Sequence, residues 1–332
     1  MPAELNHVTI LNMFGTMELQ IQYLLLLQHF REITHGIFDG FFMAATWFGE
    51  IIIPLTFLSI VYWGINKKAG RFIFFNFGLT LYVNVFLKMT ACIKRPWLID
   101  SRVCPIEKAL PAADGYSFPS GHTAGAMSSW GAAAYWWWKN KAIRYTMIAI
   151  VLLVAFSRNY IGVHTPQDVI VSIAVGIVLM FFVDKLLNWI DKKPNRDIIF
   201  YFALLALTTI LYIYLHLKCC VQMETYDSLK DLVNPLEMKH GVYSKIGFML
   251  GVFTGWILEK RFINFQIPQK TTQKRVCLIA AGIVILYVLM MFLNKIFILF
   301  IAKHLAAAII AFLTAFYITC IYPAILKISE RF

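Results

Sequence analysis

The apolar residues of this chain come in long blocks, not in the alternation of a half-buried strand or the stripe of a surface helix. The blocks run over residues 41–65, 71–92, 119–138, 143–160, 165–184, 199–217, 243–258, 276–294 and 303–325. Each is near the roughly 20 residues that a helix needs to cross a bilayer, or slightly short of it. Backbone in hydrocarbon must satisfy its own hydrogen bonds, so these blocks predict helices. Residues 8–35 read differently. Leu24 to Leu27 are apolar, but Glu18, Gln20, Gln22, Gln28 and Arg31 interrupt the pattern, which predicts an amphipathic helix at the interface and not a span. The expected fold is all-α: a polytopic transmembrane helix bundle of about nine spans behind an amphipathic N-terminal helix. The expected organisation is an interfacial segment at 1–40, a helical core at 41–190 and additional C-terminal transmembrane helices at 191–332. Within the last, Gly247, Gly251 and Gly255 repeat a small residue every four positions, which suits close helix packing. No internal repeat of the solenoid type is evident.

Composition supports the membrane reading. Of 332 residues 60% are hydrophobic and only 14% charged, with a mean hydropathy of +0.68, where a soluble domain has about 25% charged residues. The formal net charge of +12 would suggest nucleic acid in a soluble protein. Here Lys and Arg gather in short loops between apolar blocks, so no nucleic-acid partner is expected and the charge is read as orientation. The basic loops carry Lys67, Lys68 and Arg71; Lys139, Lys141 and Arg144; Lys185, Lys192, Lys193 and Arg196; and Lys260, Arg261, Lys270, Lys274 and Arg275, with Lys327 and Arg331 in the tail. These are expected inside, which puts the N-terminus outside and the C-terminus inside. Trp136, Trp137 and Trp138 then fall at the inner interface as an aromatic belt. Residues Met1 to His7 show no basic n-region and no small-residue cleavage site follows, so no cleavable signal peptide is expected. Cys92, Cys104, Cys219, Cys220, Cys277 and Cys320 form no C-x-x-C pair, which argues against a zinc or redox site. A disulfide from Cys104 to Cys219 or Cys220 stays open. Compact loops and the lack of an endoplasmic-reticulum retention signal point to a bacterial inner membrane.

Against this apolar background a few ionisable residues stand out, and at membrane depth such groups are functional candidates by default. Lys88 precedes Arg95-Pro96 by seven residues; Pro119-Ser120-Gly121-His122 opens the third block; Ser157-Arg158 precedes His164 and Asp168. All lie at the predicted outer ends of spans. If helix continues to Pro96, Lys88 and Arg95 share one face two turns apart. Alone, such a pair also suits snorkelling to headgroups. Ser120 is a good N-cap, the first N–H groups of a helix hold anions, and Gly121 permits close approach. The plain alternative is an ordinary cap with an incidental His. At i, i+4 on a helix, Asp168 can bond one nitrogen of His164 and fix its tautomer, or merely form a structural pair. The fork of Arg158 matches phosphate oxygens. Three cations, two imidazoles and a carboxylate on one membrane face favour a single site over three coincidences.

Lys-x6-Arg-Pro, Pro-Ser-Gly-His and Ser-Arg-x5-His-x3-Asp resemble, in residue type, order and spacing, the three signature motifs of the type 2 phosphatidic acid phosphatase (PAP2) superfamily. The resemblance covers residues 88–168, within the 41–190 core. It implies that His164 is the nucleophile, forming a phosphohistidine, and that Asp168 orients it. It implies that His122 protonates the leaving group and then activates water. It also implies that Lys88, Arg95, Ser120, Gly121 and Arg158 hold the phosphoryl oxygens. No carboxylate cluster suits Mg²⁺, so metal-free catalysis without a cofactor is expected. The superfamily includes soluble vanadium haloperoxidases, which nine spans argue against. The nine-span, N-outside layout is more similar to the glucose-6-phosphatase branch, an analogy that says little about substrate.

The leading expectation is therefore a membrane phosphatase of a lipid phosphate or pyrophosphate (phosphatidic acid, sphingoid phosphate or polyprenyl pyrophosphate), acting at the periplasmic or extracellular face. Trp97, Tyr116, Phe118 and Tyr160 near the motifs are candidates for an apolar entrance or for an interfacial belt. The alternatives are hydrolysis of a soluble phosphomonoester such as a sugar phosphate, transfer of the phosphoryl group to another acceptor, and a transporter or binding protein with a degenerate site. The last is disfavoured because His122, His164 and Asp168 are all present. Neither the oligomeric state nor the role of 199–332 follows from the sequence.

Overall fold

The computed structural model describes residues 16–113, 115–223 and 235–329, and every regular element among the described residues is helical. Helix α1 spans Met17–Ile33, α2 Asp39–Thr46, α3 Ile52–Ile60, α4 Lys67–Ala91 and the short α5 Pro96–Ile99. Next, α6 (Gly121–Ala126) runs through a widened turn into α7 (Ala132–Trp136), followed by α8 (Lys141–Tyr160), α9 (Pro166–Asp191) and α10 (Arg196–Met223). The C-terminal group is α11 (Pro235–Leu258), α12 (Thr272–Phe300), α13 (Lys303–Phe316) and α14 (Tyr322–Ser329). The protein is an integral membrane helix bundle.

Among the described residues, seven helices are long and apolar enough to cross a membrane, or eight if the pair Asp39–Gly49 and Ile52–Ile65, bent by 51°, is one span. The nine-span layout is thus not confirmed. The expected third span is the one that falls short, because its helix begins at Gly121 and stops at Trp136.

Caps in the sequence set several boundaries. Asn66 accepts from the Ala69 amide and starts α4, and Asn140 accepts from Ile143 and starts α8. The C-terminus of α4 departs from expectation: the helix stops at Ala91, with Cys92 left-handed at φ 51°. Arg95 is extended, as a residue before proline tends to be. It therefore does not share a helix face with Lys88.

Helix α4 is the axis of the bundle, with 67% of its apolar window buried against 17% for α10 and α12. Phe72, Phe74, Phe75 and Phe77 on α4 join Trp63, Phe253 and Trp256 in the main core. On α11 the small-residue row faces α13: a Cβ on Gly247 would lie 2.0 Å from the Ala308 carbonyl oxygen, and one on Gly251 2.4 Å from that of Phe312. We expect Gly251→Val to lose about 1–3 kcal/mol, the usual cost of overpacking. Thermal unfolding in detergent reads it against Gly40→Ala, whose Cβ would meet nothing within 4 Å. Equal melting of the two variants would refute the close contact.

Ion pairs join the 41–190 segment to the helices after it, at the end of α4 away from Lys88. Buried Glu259 accepts from Lys67 Nζ and from the Phe265 amide, each at 2.8 Å, and Lys67 also donates to the Phe265 carbonyl at 2.9 Å. Within those later helices, Asp197 pairs with Lys260 and Arg261.

Helix α1 is no free amphipathic helix. Gln20, Ile21 and Leu24 are buried, and Gln20 exchanges hydrogen bonds with the Gln167 side chain (3.1 Å) and amide (3.2 Å). Its Gln28 and Arg31 bond the backbone of Cys104. The polar residues that interrupt the apolar pattern thus dock the helix beside the start of α9, while Leu19, Leu26 and Ile33 stay exposed. Cys104 is a free, exposed thiol, and the side chains of Cys219 and Cys220 lie outside the described residues.

Candidate active site

One cavity of about 400 Å³ is lined by Lys88, Arg95, Gly121, His122 and His164, so residues from all three motifs face one space. Asp168 and Arg158 stand directly behind this wall in bonding and electrostatic contact with it.

His164 is placed by a turn, not by a helix. Helix α9 begins at Pro166, and Thr165 is its N-cap, so His164 precedes the cap. Gly162 makes the turn at φ +79°, a conformation that favours glycine. The i, i+4 pairing therefore works through the capping box. Asp168, at the third helical position, reaches back with Oδ2 to the Thr165 amide (2.8 Å) and to His164 Nδ1 (3.2 Å). Asn159 Nδ2 donates to the His164 carbonyl at 2.9 Å and fixes the turn.

The tautomer follows from the partners. Arg95 Nη1 lies 3.0 Å from His164 Nε2, and a guanidinium can only donate. Nε2 is therefore the acceptor, and the proton sits on Nδ1, facing Asp168. Burial first, then the guanidiniums of Arg95 and Arg158, hold His164 well below its usual value of 6.5. At neutral pH its Nε2 carries a lone pair directed into a cationic cavity.

The cations are themselves positioned by carbonyls. Arg95 Nε donates to Gly115 O at 3.0 Å and Nη1 to Val163 O at 2.9 Å. Lys88 Nζ donates to Tyr116 O at 2.6 Å and Ser117 O at 3.3 Å. Arg158 is 1% exposed, yet its buried Nε and Nη2 have no hydrogen-bond partner. A buried guanidinium without acceptors is costly, and it is the natural fit for an anion. No group of three His, Cys, Asp or Glu side chains able to hold a metal occurs among the described residues.

Ser120 and Gly121 divide their work. Ser120 is buried and its Oγ accepts from the Thr123 amide, capping α6. Its backbone is tied to α9 by Ser120 N donating to Asp168 O at 3.1 Å and by Ser172 Oγ donating to Ser120 O at 2.9 Å. Gly121 and half-buried His122 face the cavity, and the first amides of a helix have no intrahelical acceptor.

Two site residues have no motif to announce them. Ser117 Oγ donates to Asp168 Oδ2 at 2.5 Å and lies 3.4 Å from His164 Nδ1, completing the support of the carboxylate. Glu50 lines the cavity from the break between α2 and α3. The adjacent Gly49 packs so tightly that a Cβ there would lie 2.4 Å from the His122 carbonyl oxygen. The only signals for these positions were a serine five residues before His122 and a lone Gly-Glu in an apolar block.

The four aromatic residues considered for an entrance do not line the cavity. Tyr116 packs with Met89 and Met238, Phe118 with Ala91 and Ile93, and Tyr160 bonds Asp39, while Trp97 lies over the Arg95 guanidinium. The apolar wall comes instead from Ile51, Phe77, Leu81, Val85 and Met238. Helix α11 supplies a polar wall of His240, Gly241, Ser244 and Lys245.

Comparison with known proteins places the chain in a family. Residues 69–192 match the PAP2 superfamily, and residues 243–329 match the transmembrane extension of PAP2 superfamily phosphatases. The chain is similar to undecaprenyl-diphosphatase BcrC of Bacillus subtilis, 27% identical over 48% of this chain and 90% of the relative. It is also similar to lipid A 4'-phosphatase of Porphyromonas gingivalis (28%, covering 46% and 67%). A third relative is lipid phosphate phosphatase delta of Arabidopsis thaliana (23%, covering 51% and 44%). No solved structure matches the chain.

Proposed function

Because the chain belongs to the PAP2 superfamily of phosphatases, we propose that it hydrolyses a membrane lipid phosphate or diphosphate through a phosphohistidine at His164. The observation that carries the lipid reading is the shape of the cavity. It starts at Lys88 and follows α4 past Asn84 and Leu81 to Phe77, roughly 16 Å of helix at 1.5 Å per residue. Cations lie at one end and apolar side chains at the other, which matches an amphiphile. A sugar would leave its hydroxyls against Leu81 and Phe77. The relatives named for lipid substrates support the same class.

In this mechanism Lys88, Arg95, Arg158 and the Gly121 and His122 amides hold the phosphoryl oxygens. Charge on those oxygens in the transition state meets fixed positive groups, which is the main requirement of phosphoryl transfer. His164 Nε2 attacks phosphorus, with its Nδ1–H held by Asp168. Before substrate binds, burial, then the charges of Arg158, Arg95 and Lys88, hold His122 well below its usual value. Its proton therefore arrives with the substrate, whose phosphate offsets those charges. His122 gives that proton to the departing oxygen, then takes one from the water that cleaves the phosphohistidine. Phosphate leaves and the lone pair on Nε2 is restored. The cations do the work that a metal would do elsewhere, so turnover persists in EDTA. The basic loops at the far ends of the helices support an active site on the periplasmic or extracellular face of a bacterial inner membrane.

Phosphate release by the detergent-purified protein in EDTA tests the reading, with phosphatidic acid, sphingosine phosphate, undecaprenyl diphosphate and glucose 6-phosphate as substrates. Turnover of lipids over the sugar phosphate is the expected result. Preference for glucose 6-phosphate, or strict dependence on added divalent metal, would overturn it.

A further inference from the structure

The polar wall supplied by α11 lies outside the three motifs and outside the 69–192 match. His240 and Ser244 are four residues apart, as are Gly241 and Lys245, so one face of the helix presents all four. Lys245 is half-buried and lines the same cavity as His122. Its charge is among the leading ones acting on His122, together with those of Arg158, Arg95 and Lys88. The leading charges on His164 are Arg95, Arg158, Lys88 and His122. Lys245 therefore shares the cavity with His122 and lies within its electrostatic reach, and His122 serves the leaving-group side.

That side has a chemical meaning. In an in-line displacement the leaving oxygen lies opposite the attacking nitrogen. A monophosphate ester departs there as an alcohol, which has no charge to hold. A diphosphate ester departs as a lipid monophosphate, which carries the retained phosphate.

We propose that Lys245, with the Ser244 hydroxyl beside it, binds the phosphate retained by the leaving group and so makes lipid diphosphates the preferred substrates of this site. The proposal rests on the phosphatase reading above. In the step itself His164 Nε2 bonds to the terminal phosphorus, and the bond from that phosphorus to the bridging oxygen breaks. Its electron pair stays on the bridging oxygen of the lipid monophosphate, facing Lys245. Water then cleaves the phosphohistidine to inorganic phosphate.

Farnesyl diphosphate and farnesyl monophosphate share one chain and differ by one phosphate, so their kcat/KM ratio on the full-length protein isolates the effect. Lys245→Met is expected to lower that ratio about tenfold, and Lys245→Arg to restore most of it. A proportional loss on both substrates, with the ratio unchanged, would overturn the assignment. A measurement on the unaltered protein covers the case in which Lys245→Met fails to fold. Pyrophosphate should inhibit p-nitrophenyl phosphate turnover at least tenfold more strongly than phosphate does, and equal inhibition would refute the second anion subsite. Failure of the enclosing reading looks different, because the unaltered protein would then match His164→Ala on both farnesyl substrates.

Discussion

His164→Ala abolishes turnover, lowering phosphate release by on the order of 10⁴-fold or more, as removal of a covalent nucleophile does. The protein itself should remain folded. The support around the turn comes from Asn159 on the His164 carbonyl and from Asp168 on the Thr165 amide, and neither bond uses the imidazole. Quenched-flow labelling with a ³²P-phosphorylated lipid should trap acid-labile label on the unaltered protein and none on His164→Ala. A residual rate within tenfold of the unaltered protein would remove His164 from the nucleophile role. The pH profile adds an independent reading. Protonation of Nε2 consumes the attacking lone pair, and burial with Arg95 and Arg158 lowers that proton's affinity. The acid limb of kcat/KM that reports His164 therefore lies below 6.5, and on that limb activity falls as the pH drops through this lowered value.

His122→Ala should split substrates by their leaving groups. An alkyl oxygen needs a proton as it departs, so an alkyl phosphate should lose about 10²- to 10⁴-fold, the range for general acid catalysis. The loss on p-nitrophenyl phosphate should be far smaller in the phosphorylation step, because nitrophenolate leaves without help. Pre-steady-state release of nitrophenol isolates that step from the later hydrolysis, where His122 is needed again as the base. Equal burst rates would support the assignment; an equal collapse on both substrates would show that His122 mainly binds the phosphoryl group.

The residue types of the candidate site were more legible than their placement. Helix spans and the identity of the charged residues can be read along the chain, because apolar blocks and isolated ionisable groups are local signals. Where those groups sit on the backbone was not legible. Arg95 was expected on the helix of Lys88, yet α4 stops at Ala91 and Arg95 is held in extended backbone by carbonyls from Gly115 and Val163. His164 was expected on α9, yet it precedes the cap and meets Asp168 through the reach-back of a capping box. Ser117, Glu50 and Gln20 gained their positions from contacts distant in sequence, to which periodicity is blind. The third span is not confirmed, because residues 119–138 are apolar in composition while the helix within them runs only from Gly121 to Trp136. The wall made by α11 was invisible for a stronger reason. Nothing in residues 235–258 marks chemistry, and only the packing of α11 against α4 brings Lys245 to the cavity.

That shared cavity bears on how such proteins diversify. The helix bearing Lys245 belongs to one part of the chain, and the three motifs belong to another. Shuffling or drift of a single helix can retune selectivity with no change to the reaction centre. On the role proposed for Lys245, two descendants with identical motifs would prefer different lipids, and their divergence is to be sought in the tail of the gene.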